Sequence, residues 1–317
     1  MERRPLGRTG IAVPRLSFGA SPLGGVFGPV EQSDADRAVR GAIDLGIDLF
    51  DTAPFYGLGR SETVLGSALR GIARDRFLIS TKVGRYGADD FDFSAGRIRA
   101  SVDQSLTRLG VDHVDLLVCH DIEYGDPERI VDESLPAMRR IVQSGKARAV
   151  GISGYPLGIF DRVAAGAPLD FALTYCHGTL QDQSLVPRLP WFAERGIGVI
   201  NASPLGMGLL TDDGPPAWHP APDPVRAACR AAAEACVRRG AAITDLAIAW
   251  SAGLDGVSTT LVGMANVDAV ARNHAALGTV PSPELVRAVE ACLAPVRDVG
   301  WTSGRWGGSD QASPRQT

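Results

Sequence analysis

The sequence predicts an α/β chain closed into a (β/α)8 barrel (a TIM barrel), with an N-terminal β-hairpin as a cap and long loops after some of its strands. Three observations predict it. Eight short apolar runs alternate with stretches of helical periodicity, the pattern of parallel strands joined by helical crossovers. The runs are almost continuously apolar, as in Val114-Asp115-Leu116-Leu117-Val118-Cys119, which a strand covered on both faces requires. A doubly wound sheet shares these two features, but eight is the strand count of a barrel, and no G-x-G-x-x-G turn follows an early strand. A chain of 317 residues lies within the range that such barrels reach as one unit, so a single domain over 1–317 is expected.

In chain order, residues before Leu16 form the hairpin, with Leu6-Gly7-Arg8-Thr9-Gly10 supplying its turn residues. The strands are expected at 16–20, 48–53, 77–83, 114–120, 147–153, 171–176, 198–203 and 260–264. Between them, 34–45, 98–109 and 130–143 carry apolar residues at spacings of three and four, the signature of a helix buried along one face. After the seventh strand, 211–222 is too rich in Gly and Pro for regular structure and reads as a long loop on the face where barrels carry their sites. From Trp301 onward Gly, Ser and Gln replace apolar periodicity, and 310–317 is expected to be a disordered tail.

A net charge of −4 with no basic stripe argues against a nucleic-acid partner and fits a small-molecule substrate. The cysteines, Cys119, Cys176, Cys229, Cys236 and Cys292, are odd in number, scattered and without a C-x-x-C pair. They point to reduced thiols, not to disulfides or zinc. Cys119-His120-Asp121 and Cys176-His177 look ligand-rich, but neighbours on a strand point to opposite faces, so no metal is expected. No apolar run approaches the length of a membrane span, and the N-terminus lacks a signal-type apolar segment. The expectation is a cytoplasmic protein, off the membrane, either a monomer or a small homo-oligomer.

Polar residues close strand after strand: Asp51 the second, Lys82 the third, His120 the fourth. Strand ends of a parallel barrel converge on one face, so these residues meet although distant in sequence, and Tyr56 follows on the adjoining loop. Taken singly, an Asp–Lys pair is a structural bridge and a Tyr or His is packing. Together they suit proton transfer coupled to hydride transfer. A phenol ordinarily titrates near 10, and a Lys82 ammonium beside Tyr56 favours its phenolate. Asp51 would hold Lys82, and His120 would hydrogen-bond the substrate oxygen.

The run Gly46-Ile47-Asp48-Leu49-Phe50-Asp51-Thr52-Ala53-Pro54-Phe55-Tyr56-Gly57, followed by Ser61-Glu62-Thr63-Val64-Leu65-Gly66, resembles the first signature of the aldo-keto reductase family. Ser80-Thr81-Lys82 and His120 match its lysine and histidine positions, completing a catalytic tetrad. Further stretches, among them Phe18-Gly19-Ala20-Ser21-Pro22-Leu23-Gly24, Cys119-His120-Asp121-Ile122-Glu123 and Gly214-Pro215-Pro216-Ala217-Trp218-His219-Pro220, are similar to the family's aldose 1-dehydrogenases. Those enzymes act on sugars such as L-galactose and L-fucose, and pyridoxal dehydrogenases look like them. The resemblance implies oxidation of a cyclic hemiacetal to a lactone, with Tyr56 as general base.

The resemblance also implies a nicotinamide cofactor. Ser153 and Tyr175 would lie at the carboxamide and Ser203, Leu205 and Gly208 along the pyrophosphate, while Gly263, Asn266, Arg272 and Asn273 would meet the adenosine end. Gly154 and Gly178 stand where many members carry an Asn for the carboxamide and a Tyr that stacks on the ring. Gly263, Ala265 and Ala269 are neutral where members that prefer NADP place Lys or Arg, so NAD is the expected cofactor. Asn266 also reads simply as the N-cap of a following helix. Candidates for substrate contact are Arg85, Tyr86, Asp121, His177, Trp218, His219 and Trp301, with Phe27 and Phe55 as wall residues. Two other readings are an NADPH-dependent carbonyl reductase of the same family and a nucleotide-binding regulatory barrel without turnover.

Overall fold

The computed structural model describes residues 1–306, so the tail expected at 310–317 lies outside the described residues. The hairpin forms from β1 (Arg3–Pro5) and β2 (Ala12–Pro14), paired antiparallel with Arg3 opposite Pro14. Eight parallel strands then close a barrel: β3 (Leu16–Gly19), β4 (Leu49–Asp51), β5 (Leu78–Val83), β6 (Val114–Cys119), β7 (Ala147–Gly154), β8 (Phe171–Tyr175), β9 (Gly198–Ala202) and β10 (Thr259–Gly263). Closure runs through β10, which pairs with β9 on one side and β3 on the other. All eight expected strands are present, with β4 shortened to three residues.

The hairpin stoppers the barrel from below. Gly7, in the left-handed region at φ 54°, brings its backbone so close to the start of β9 that a Cβ there would stand 2.4 Å from the Gly198 nitrogen. Leu6, Ile11 and Val13 then join Leu49, Leu116, Val118, Phe171, Leu173 and Ile200 in one interior cluster. Burying each such side chain contributes about 1.5–3 kcal/mol.

Around the barrel run α1 (Gln32–Asp44), α2 (Arg60–Leu69), α3 (Ala95–Leu109), α4 (Pro127–Arg129), α5 (Leu135–Gln143), α6 (Gly158–Gly166), α7 (Leu189–Arg195), α8 (Asp223–Val237), α9 (Ile243–Ala252), α10 (Val267–Ala276) and α11 (Pro283–Leu293). Helix α3 shows how sequence sets an element. Ser94 accepts the Arg97 N–H at its start, Ile98, Val102, Leu106 and Leu109 form its inward stripe, and Gly110 in the left-handed region ends it. The segment expected as one helix over 130–143 opens instead with a π-turn at Ile130–Ser134 that runs into α5. Helices α8 and α11 are additions to the one-helix-per-strand plan; they pack on each other and form a second apolar cluster around Val225, Cys229, Leu285 and Val289. Among the described residues no helix is long and apolar enough to cross a membrane.

Candidate active site

The strand ends converge as the barrel demands. Asp51 closes β4, Lys82 stands one residue from the end of β5, and His120 follows β6 directly. With Tyr56 they line a cavity of about 450 Å³ at the mouth, together with Gly19, Ser21, Val26, Phe27, Phe55, Arg85, Asp121, Ser153, Tyr175, Ser203, Met207, Trp218 and Gly263 among others. A larger hollow of about 550 Å³ lies between the ends of α2 and α3, beside the residue that precedes β5, and is thus at the opposite end of the barrel.

Lys82 is enclosed to 1% exposure, and its ammonium donates to Asp51 Oδ2 at 2.5 Å and to the Thr52 carbonyl at 2.8 Å. Ser80 donates to the other Asp51 oxygen at 2.7 Å, so the carboxylate is held from both sides. Burial pulls Lys82 down, but Asp51 and Tyr56 outweigh it and keep the ammonium above its ordinary range. The lysine nitrogen lies 4.8 Å from the centre of the Tyr56 ring. Burial raises the Tyr56 phenol and Asp51 adds to this, while Lys82 opposes them. The expectation that Lys82 would bring the phenol down therefore holds for its own contribution only. Enclosure wins, and the phenol stays protonated at neutral pH.

The His120 ring meets Tyr56 edge-on at 5.8 Å between centroids. Burial, reinforced by the Lys82 and Arg85 cations, lowers His120 to about 3, against the opposing pull of Asp121. A neutral imidazole carries one N–H and one bare nitrogen, so it can donate to an oxygen placed between it and Tyr56.

Beside the tetrad, Arg85 donates to Asp121 at 2.5 Å, and its guanidinium stacks 3.8 Å from the Phe55 ring centre. Phe91 and Tyr124, themselves stacked at 4.4 Å, flank the same guanidinium. The Asp121 N–H donates to Ser153 Oγ at 3.1 Å, which ties the ends of β6 and β7 together. Asp121, Cys176 and Ser203 adopt φ of 49°, 66° and 56° just past the ends of β6, β8 and β9. Non-glycine residues enter that region at a cost of roughly 1–2 kcal/mol, and such strain collects at functional sites.

The structure brings together only part of the residues singled out from sequence. Ser153, Tyr175, Ser203, Gly263, Arg85, Asp121, Trp218, Phe27 and Phe55 line the cavity with the tetrad. Tyr86 does not; its ring is buried under the Arg97 guanidinium at 4.1 Å, against α3. His177 has both ring nitrogens taken, by the Tyr155 carbonyl at 2.6 Å and by Asp182 and Ser184, and lines a separate depression of about 250 Å³ with Trp301. His219 folds inward to pin its loop, with one nitrogen on the Gly206 carbonyl and the other accepting the Ala221 N–H. These three are corrections: alternation and loop packing turn their side chains away from the mouth.

Leu205 packs between the two main apolar clusters, and Gly208 sits at φ 105° under Gly214 and Pro215, both outside the cavity lining. Asn266 caps α10 by accepting the Ala269 N–H at 2.9 Å, Arg272 is exposed on that helix, and Asn273 is buried. Gly178 packs against the Asn201 amide, which donates to its carbonyl at 2.8 Å behind β9. Sequence reasoning missed Val26 and Met207 in the lining, and the enclosed Glu123 behind it. An acid just past the end of β6 was the available signal for Glu123; nothing in its surroundings of sequence marks it as buried.

Part of the cavity lining suits the close approach of a cofactor. Gly19 and Gly263 offer bare backbone beside Ser21, Ser153 and Ser203, and a Cβ on Gly263 would press to 3.2 Å on Pro22.

The Aldo/keto reductase family model matches residues 15–294. L-galactose dehydrogenase of Arabidopsis thaliana is 47% identical over 314 residues, covering 96% of this chain and 98% of that protein. D-threo-aldose 1-dehydrogenase of a Pseudomonas species is 34% identical over 65% of this chain and 70% of its own length. Among solved structures, an aldo-keto reductase from Bacillus halodurans in its holo form superposes with a TM-score of 0.78 at 24% identity, covering 96% of this chain and all of that one, a likeness of fold.

Proposed function

The chain belongs to the aldo/keto reductase family, and from that premise we propose that it is an NAD-dependent aldose 1-dehydrogenase that oxidises the C1 hemiacetal of a sugar such as L-galactose or L-fucose to its lactone. The observation that carries this reading is the 47% identity to L-galactose dehydrogenase over nearly the whole chain. The geometry agrees with it. Four groups suited to moving a proton and a hydride face one cavity, and the Arg85–Asp121 pair in its wall offers both donors and acceptors to sugar hydroxyls.

Tyr56 is the general base. A phenol that burial holds protonated needs nearby positive charge to act so, and the Lys82 ammonium supplies it, fixed by Asp51. The anomeric O–H gives its proton to the phenolate form of Tyr56 as the C1–H bond breaks and the carbon–oxygen double bond of the lactone forms. Neutral His120 donates its N–H to the same oxygen and orients it. A bound nicotinamide would supply the acceptor for the hydride that leaves C1. Of the lining residues, Ser153 and Tyr175 are suited to hold its carboxamide, Ser203 the pyrophosphate and Gly263 the adenosine end. Because base catalysis needs the phenolate, oxidation is expected to quicken as pH rises.

NAD preference rests on the motif from Gly263 to Asn273, which runs into α10. Gly263, Ala265 and Ala269 are neutral there, and Arg272, exposed one turn further along α10, is the one basic residue of the motif, so a 2′-phosphate would meet few cations. The test is absorbance at 340 nm with NAD and NADP against a panel of aldoses. A higher kcat/KM with NADP overturns the cofactor, and no turnover of any aldose overturns the substrate class.

A further inference from the structure

Glu123 has no part in that chemistry, yet it is enclosed to 0% exposure where four segments meet. Its Oε1 faces three donors: the Tyr155 N–H at 3.2 Å, the Ser303 hydroxyl at 3.0 Å and the Tyr175 hydroxyl at 3.4 Å. Its Oε2 has no hydrogen-bond partner among the described residues and lies beside Gly154. A Cβ on Gly154 would stand 3.1 Å from that oxygen, and one on Gly304 2.4 Å from the Glu123 Cγ, so glycine on both sides makes room for this carboxyl. The Glu123 carbonyl also accepts the Arg305 N–H at 2.8 Å. The C-terminal segment is thereby fastened across the loops after β6, β7 and β8. A second fastening is Trp301, which donates its N–H to the Tyr155 hydroxyl and stacks on that ring at 4.8 Å.

A fully buried, ionised carboxylate with one oxygen left without a donor costs several kcal/mol. No ion pair offsets it among the described residues. The charged and titratable groups around it are Asp121, already taken by Arg85, the Tyr155 and Tyr175 phenols, both raised chiefly by burial, and Arg305, whose side chain is exposed. We propose that Glu123 is a positioning residue held as a neutral carboxylic acid, that it locks the Tyr175 wall of the cavity to the C-terminal segment, and that its ionisation in mildly alkaline solution releases that segment. Burial, with Asp121 adding to it, pushes Glu123 up to about 8 from an ordinary 4.5. The folded value exceeds the open one, so the fastening is complete below pH 4.5 and is lost as pH rises toward 8.

The effect on turnover rests on the aldose reading; the release does not, and hydrogen exchange reads it without substrate. In the wild-type protein, protection of the Trp301 and Arg305 amides, corrected for intrinsic exchange, should fall about tenfold per pH unit from roughly pH 6 to 8. In Glu123→Gln, which keeps the shape and cannot ionise, protection should not vary with pH, and the aldose KM should lose the alkaline rise expected of the wild type. A flat wild-type series, or the same slope in Glu123→Gln, overturns the proposal. Should that variant not fold, the wild-type series alone decides, with Ser303→Ala expected to lower protection at every pH while keeping the slope.

Discussion

Replacing Asp51 with Asn leaves the Lys82 ammonium enclosed without its counter-charge. The amide keeps the size of the carboxylate and its Ser80 hydrogen bond, so the change is almost purely electrostatic. Lys82 is 1% exposed, and its remaining acceptor is the neutral Thr52 carbonyl at 2.8 Å. Removing one partner of a buried pair costs about 3–5 kcal/mol, a large share of the 5–15 kcal/mol that holds a domain folded. At on the order of 2 °C per kcal/mol for a chain this large, the melting temperature should drop by roughly 6–10 °C. With Asp51 gone, burial dominates at Lys82, the ammonium gives up its proton more readily, and Tyr56 loses the charge that opposes its own burial. Turnover should fall by about 10²–10⁴. The decisive arm is the double variant with Lys82→Met, where no buried charge remains: stability should recover by about 1–4 kcal/mol over Asp51→Asn alone, with activity still absent. Thermal unfolding of both variants beside the wild type measures this. A single variant within 1 kcal/mol of wild type, or a double variant no more stable than the single, refutes the reasoning.

Three further outcomes follow from the same geometry. Tyr56→Phe should lose at least about 10² in kcat while titrating cofactor fluorescence as the wild type does; near-normal turnover removes Tyr56 from the proton path. His120 titrates at about 3 when folded and at 6.5 otherwise, so its stabilising contribution is full above pH 6.5 and fades as pH falls below that. Urea unfolding should show a loss of about 1.4 kcal/mol per pH unit from this residue, a slope that His120→Asn removes, and an unchanged acid slope in that variant contradicts the assignment. Gly7→Ala sets a Cβ 2.4 Å from the Gly198 nitrogen in a left-handed backbone, whereas Gly10→Ala, also left-handed, meets open space. The first should cost about 2–4 kcal/mol and the second about 1, and equal melting temperatures would show that the hairpin does not press on the barrel.

The barrel was legible because its signal is repetitive: eight apolar runs survive an error of a residue or two at either end, as β4 illustrates by forming over 49–51 of the expected 48–53. The tetrad was legible because parallel topology alone carries Asp51, Lys82 and His120 to one face. What sequence did not show was the direction of side chains on loops. His177 and His219 stand in loops that cross the mouth, and both spend their nitrogens on nearby backbone and side-chain partners. Tyr86 lies one residue from Arg85, yet one faces α3 and the other the cavity. The state of Tyr56 was hidden for another reason. Its neighbour's charge can be read from sequence, but the depth of enclosure that outweighs that charge is a property of the packed fold.

The stopper of Leu6, Ile11 and Val13 has a kinetic corollary. A vessel sealed at its base fills and empties by one neck, and here the neck is rimmed by Phe27 and Trp218, about half exposed, with ring centres 6.0 Å apart. Were two molecules to share that doorway, they would queue, the first to enter being the last to leave. The slowest exit would then cap the traffic, and no change to the groups deeper inside would raise that ceiling.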